Sequence, residues 1–374
     1  MYANISLYTG EAYMRIYRFI LSGLIVLYLL LTPKWILSGL ATDPRAEVFK
    51  KPAPEWYGVV ELWHVASFKP YRGSVTDYLD RAAREYNKAH TGVHIQVKGL
   101  TEKQFHERIE RGETPDAYSF QSGLLYREQL SELPITALPK LISPARPAAD
   151  GGLLYAVPYL VSGYALSVNT QLLYQRGLAS PEGADRAFLQ AALDSKQKKP
   201  QLYAPEILAA RLELTGTLAS REDFLGGGVL AGITDLYTVG MASRTEKLNL
   251  MLESVPITDY TDLVQYIGPA RGADEKRRAV IADFAAYLLS EKVQRRLSDV
   301  GCAPASAEVT DLAYDEPLLA AFYAGVAAAS APEPFAYERH KSALTADALR
   351  ALLREQGAQN AFNERLNVVL SGIS

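Results

Sequence analysis

One cysteine, Cys302, stands in 374 residues, so the chain has no internal disulfide and no thiolate-rich zinc site. It lies too far from the start to carry an N-terminal lipid, and a buried structural thiol is the reading that fits it. Histidine is also scarce. The five residues are scattered, and His106 in "HER" lacks the second histidine of a zinc-peptidase helix, so no metal is expected. G-x-S-x-G, H-E-x-x-H and C-x-x-C are all missing, so no enzyme and no cofactor are expected. Neither sign of charge dominates: 39 Lys and Arg face 42 Asp and Glu, for a net charge of -3. Nucleic acid is therefore not an expected partner. The longest basic run, "KQKK" at 196–199, reads as a solvated loop.

Two weak signals belong with these absences. Gly226-Gly227-Gly228 has no Lys-Ser/Thr after it and no helix opening there, so it reads as a turn rather than a phosphate cradle. Paired carboxylates for glycoside hydrolysis need proximity in space rather than in sequence. Asp259 and Asp262 carry no pattern that marks them out.

What the chain does have begins at the N-terminus. Arg15 and Arg18 precede thirteen uncharged, mostly apolar residues, Phe19 to Leu31. Two cations before a short apolar run form an export signal, with Gly39 and Ala41 supplying small residues for cleavage. Alternatively, Phe19 to Ala41 spans a bilayer core of about 30 Å, with Lys34 reaching the headgroups. Residues 1–41 are thus read as signal peptide or membrane anchor. An uncleaved anchor is preferred, because Pro33-Lys34 interrupts the apolar pattern without ending it. Both readings put the remainder on the extracellular face of the cytoplasmic membrane, anchored or secreted. Met14 is expected to be the true start, since residues 1–13 add nothing that a signal needs. Residues 42–56, rich in proline and charge, read as a linker.

Strand and helix then alternate. "GVVELW" is a short strand, and Ser74 caps a helix with Val75, Tyr78, Leu79, Ala82, Ala83 and Tyr86 on one face. "VHIQV" is the second strand. Thr101 with Gln104 makes a capping box, Gly112 ends that helix, and "DAYSF" is the third strand. This order predicts a parallel sheet whose ligands sit outside the carboxyl ends of its strands. Trp63-His64 and Phe120-Gln121 fall at two such ends. Further on, 224–239 reads as strand and 258–272 as extended. A single long amphipathic helix is expected over 274–300, and another over 346–355 with Thr345 as N-cap.

Five stretches follow one another in a telling order: "VELWHVASFKPYRGSVTDYLDRAAREYNKAHTGVHIQV", "RIERGETPDAYSF", "LYAVPYLVSGYALSVNTQLLYQRGL", "FLGGGVLAGITDLY" and "DFAAYLLSEKVQRRLSDVGCAPAS". Together they resemble the extracellular solute-binding proteins of bacterial ABC importers, family 1, which includes maltodextrin and other sugar binders. The resemblance spans about residues 57 to 310. The chain departs from the pattern between Leu178 and Phe224, where the usual "P-x-T-W-x-E" helix is missing and the second lobe is shortened.

The resemblance implies an α/β fold, periplasmic-binding-protein-like type II, with two α/β lobes joined by a hinge behind an N-terminal hydrophobic segment. Hinge crossings are expected near Pro158-Tyr159, Asp262 to Gly268 and Gly301 to Pro304. Lobe I would be 57–158 and 263–300, and lobe II 159–262 and 301–374. The implied function is solute binding for an importer: a small polar ligand, with carbohydrate the expected class, held between the lobes and delivered to ABC permease subunits by a monomer. Two other classes remain open. One is a membrane-anchored sensory or interaction subunit without tight sugar binding. The other is a surface hydrolase with two carboxylates about 5–10 Å apart.

Sugar faces stack on aromatic rings while their hydroxyls need planar donors and acceptors. The ligand-binding candidates on loops and strand ends are Trp63, His64, Tyr71, Phe120, Gln121, Tyr159, Tyr164, Asp235 and Tyr237. Each has a plainer role available. Trp63 can cover the end of the sheet, His64 can be a satisfied core histidine, Tyr71 can pack the next helix, and Phe120 alternates with Tyr118. Tyr159 and Tyr164 flank a hinge crossing, and Asp235 can cap a turn beside Tyr237. With 23 tyrosines in the chain, many must be structural.

Overall fold

The computed structural model describes residues 21–22, 56–135, 137–181, 185–195, 197–244 and 251–372. The expected signal or anchor (apart from Leu21-Ser22), the linker before Trp56 and Lys196 of the basic loop lie outside the described residues. Among the described residues, no helix is long and apolar enough to cross a membrane.

From Trp56 onward the chain builds two sheets. The strands are β1 (Gly58–Val65), β2 (Val93–Leu100), β3 (Ala117–Gln121), β4 (Ala148–Asp150), β5 (Leu153–Val161), β6 (Tyr164–Asn169), β7 (Leu202–Tyr203), β8 (Ala231–Asp235), β9 (Leu252–Ile257), β10 (Val264–Pro269) and β11 (Ala303–Pro304). The first sheet has the order β11-β5-β10-β3-β1-β2, with β4 beside β5, and the second β7-β8-β6-β9. The opening β1, β2 and β3 pair in parallel, as their alternation with helices requires, and β10 joins antiparallel to both β3 and β5.

Helices α1 (Val75–Ala89) and α2 (Glu102–Glu110) connect these first strands. The apolar stripe of α1 is buried as its spacing predicts, and Ser74 Oγ accepts from Asp77 N. The Thr101/Gln104 capping box is formed in both directions. The second sheet carries α3 (Thr170–Arg176), α4 (Arg186–Leu193), α5 (Glu206–Arg211), α6 (Arg221–Leu225) and α7 (Leu236–Arg244). The chain then adds α8 (Glu275–Leu288), α9 (Glu291–Gln294), α10 (Pro317–Val326), α11 (Pro334–Leu352) and α12 (Ala358–Ser371).

Three expectations about helices change. The stretch 224–239 is a strand only over β8, because Asp235 Oδ1 accepts from Thr238 N at 2.7 Å and so starts α7. The long helix expected over 274–300 is broken after α8. Ser290 Oγ donates to Tyr287 O at 2.6 Å, and the buried Gln294 amide donates to both Leu288 O and Tyr159 O at 2.8 Å. A straight helix would carry that amide away from both acceptors. The helix expected from residue 346 instead begins at Pro334, capped by Glu333. Thr345 lies inside it, its hydroxyl bonding back to Lys341 O at 2.9 Å rather than capping an N-terminus.

The chain passes from one sheet to the other directly. β5 ends in the first sheet at Val161 and β6 opens in the second at Tyr164, so the first passage is Ser162-Gly163, later than Pro158-Tyr159. A Cβ on Gly163 would stand 2.2 Å from the Phe322 ring of α10, so only glycine passes there. Residues 258–263 return the chain from β9 to β10. After β11, paired with β5 at Leu160 and Val161, the chain leaves for α10, which packs on β9.

Candidate functional site

The nine predicted residues fall into three groups and two isolated core positions. Successive residues of a strand point to opposite faces, so Trp63 and His64 part company. The Trp63 indole is 2% exposed, edge-on to Tyr118 with centroids 6.3 Å apart, beneath the Arg108 guanidinium, and its N–H donates to Glu61. Phe120 stacks on Tyr266 at 5.7 Å, and both it and Tyr118 are buried, because β3 is covered on both faces.

His64 and Tyr159 are brought together by a residue the sequence did not flag. Ser119 Oγ lies 3.0 Å from His64 Nδ1 and 2.8 Å from Tyr159 OH, and accepts from Gln265 Nε2 at 3.1 Å. The four side chains come from β1, β3, β5 and β10, side by side in the first sheet, and all are buried. Burial lowers the His64 pKa to about 4, so its imidazole is neutral at physiological pH. Cys302, enclosed near this layer, has its thiol pushed up to about 12 by burial and is inert.

Gln121, Tyr164 and Asp235 meet around Asp262, in the passage between β9 and β10. Asp262 Oδ1 accepts from Tyr164 OH at 2.6 Å and Oδ2 from Tyr337 OH at 2.5 Å, while Gln121 Nε2 donates to Asp262 O at 3.4 Å. Asp235 sits opposite Tyr164 in the β6–β8 register. Burial first, and then the Asp262 charge, hold the Tyr164 and Tyr337 phenols well above their usual pKa, so both remain donors. Tyr337 lies in the C-terminal helices, where no sequence pattern announced it. Asp262 is the lone carboxylate inside "YTDLVQYI", a pattern too ordinary to single it out.

The third group lies beside a pocket. The loop after β1 meets α7, with Lys69 Nζ 5.0 Å above the Tyr237 ring and Arg244 Nη2 donating to Tyr71 O at 3.1 Å. A Cβ on Gly240 of α7 would stand 2.5 Å from Tyr71 O, so the approach of helix to loop depends on that glycine. Beside this contact is a pocket of about 430 Å³ lined by Tyr71, Arg72, Ser243, Arg244 and Glu316. Tyr71 and Tyr237 are thus near neighbours at one seam, and Arg244 is the polar member that sequence reasoning missed.

No family model matches the chain, and no curated protein matches it. Solved structures do. The GacH receptor of Streptomyces glaucescens, seen with acarbose, aligns over 86% of this chain and 100% of its own at 17% identity and a TM-score of 0.58. A cyclic α-maltosyl-1,6-maltose binding protein from Arthrobacter globiformis covers 84% of this chain and 100% of its own at 17% identity and a TM-score of 0.63. An extracellular solute-binding protein of Staphylococcus aureus in complex with maltose gives 86%, 98%, 14% identity and 0.57. The chain therefore has the two-lobe α/β fold of these binding proteins.

Proposed function

We propose that this chain is the extracellular solute-binding component of an ABC-type importer, taking a carbohydrate between its lobes and delivering it to the permease. The observation that carries this reading is the seam where the loop after β1 meets α7. It sets hydrogen-bonding groups and the edge of Tyr71 around a pocket, with the Tyr237 ring at the same contact of loop and helix, and sugar hydroxyls require such groups. The oligosaccharides named with the structural neighbours support the same ligand class. We place lobe I at 57–161 with 264–304, and lobe II at 164–257 with the C-terminal helices. The hinge is formed by the passages between them. Tyr71, Tyr237, Gln121, Tyr164 and Asp235 are the candidates nearest the seam or the hinge. Trp63, Phe120, His64 and Tyr159 would shape lobe I from within.

Ligand binding would favour the state in which loop and helix touch. A Gly240→Val side chain cannot fit against Tyr71 O, and overpacking of this kind costs about 1–3 kcal/mol. That cost falls on the closed state, so apparent affinity for solute should drop about tenfold, with an increase in radius of gyration measured by small-angle scattering. Unchanged affinity would separate this contact from closure. The function itself is tested by thermal shift of the full chain against sugars, amino acids, polyamines and oxyanions. A solute at about a hundred times its dissociation constant should stabilise by about 2.7 kcal/mol. Silence toward every sugar would end the carbohydrate reading, and a response to polyamines alone would reassign the solute.

A further inference from the structure

The seam pocket carries charge that a neutral sugar does not need. Arg72 is held from behind, Nε donating to Asp299 O at 2.9 Å and Nη2 to Ser298 O at 3.2 Å. Arg244 is held in the same manner by Tyr71 O at 3.1 Å. Backbone carbonyls orient a guanidinium but leave its charge unbalanced, and the N–H groups not so used need other acceptors. The carboxylate in ion-pair range of Arg72 is the exposed Asp315, at 3.9 Å, and Arg244 has no ion pair among the described residues. Lys69, in the same loop as Tyr71 and Arg72, rests on the Tyr237 ring, and no ion pair to it is found among the described residues.

Two oriented guanidiniums on the wall of one pocket suit a planar anion, which can take two parallel N–H bonds from either. Tyr71 and Ser243 complete the lining, and Glu316 supplies an acceptor for hydroxyls. Resting on the solute-binding reading above, we infer that the solute is an acidic sugar, an oligosaccharide whose uronate carboxylates are taken by Arg72 and Arg244. Ser243 and Glu316 meet the hydroxyls of the ring, and the arginines select its charge. A sulfate ester offers related anion chemistry and is separated by experiment.

The test is calorimetric titration of the full chain, purified in detergent, with trigalacturonate, neocarrabiose sulfate (a sulfated disaccharide without a carboxylate) and maltotriose. Trigalacturonate should bind at least about tenfold more tightly than maltotriose, and less tightly as salt is raised, because exposed charges are screened. Arg244→Gln should weaken trigalacturonate about tenfold, the worth of one charge-assisted bond. Lys69→Gln should weaken it by a smaller factor through the lost long-range attraction. Arg278→Gln, in a separate pocket beside Arg127 and Tyr155, serves as the charge control and should leave the affinity within about twofold. Tighter binding of maltotriose, or an Arg244→Gln protein that melts normally and binds trigalacturonate as before, overturns the acidic-sugar inference while leaving solute binding intact. Preference for the sulfated disaccharide overturns the uronate assignment. Binding of no sugar at all removes both this inference and the reading beneath it.

Discussion

Asp262→Ala is expected to lower the unfolding free energy by about 3 kcal/mol, the balance of two charge-assisted hydrogen bonds lost and one buried charge relieved. The carboxylate holds Tyr164 at 2.6 Å and Tyr337 at 2.5 Å, and no ion pair to it is found among the described residues. Removing it leaves two buried phenols to find other acceptors. The loss should be local in origin, because the three residues belong to the second passage, the start of β6 and α11, which converge where the sheets connect. A double-mutant cycle with Tyr337→Phe should return a coupling of about 1–2 kcal/mol. Urea denaturation supplies all four stabilities. Additive losses would mean that the carboxylate does not hold the helix to the passage.

Acid should weaken the fold through His64 before it does so through the carboxylates. The imidazole titrates at about 4 in the folded chain and at about 6.5 when unfolded. Its contribution is therefore complete above pH 6.5 and is lost as pH falls toward 4, since the unfolded chain takes up the proton first. A shift of that size corresponds to about 3 kcal/mol. Arginine-paired carboxylates lose their contribution lower down. Glu85, hydrogen-bonded to Arg296, is held at about 2 against a usual 4.5. Between pH 6.5 and 4.5 the decline in stability of the native chain should therefore exceed that of His64→Gln, although the variant starts from a lower value. Parallel curves for the two proteins would show that His64 is not the group responsible.

These two predictions rest on residues that sequence reasoning treated very differently. His64 stands near the carboxyl end of β1, and its neighbours in the chain give no sign that Ser119, Tyr159 and Gln265 close around it. Asp262 is one carboxylate in an apolar run and looks like any other until its two phenols are in view. Arg244 falls just after one of the segments that carry the resemblance to sugar binders, and Tyr337 lies beyond its span altogether.

Local physics was legible in the order of residues. The stripe of α1, its Ser74 cap, the Thr101/Gln104 box and the parallel β1–β3 unit follow from periodicity and capping, which need only a few neighbours. The two-lobe α/β fold also followed, because five stretches in one order constrain topology more than any one of them does. Tertiary structure alone decided the rest. It set where the chain changes sheets, because strand pairing carries β5 as far as Val161. It ended α8 early, because the Gln294 amide needs acceptors from Leu288 and Tyr159. It also chose which rings face the seam, because alternation along a strand assigns opposite faces to Trp63 and His64 but cannot say what covers either one. Periodicity is a property of the chain, and enclosure is a property of what folds against it.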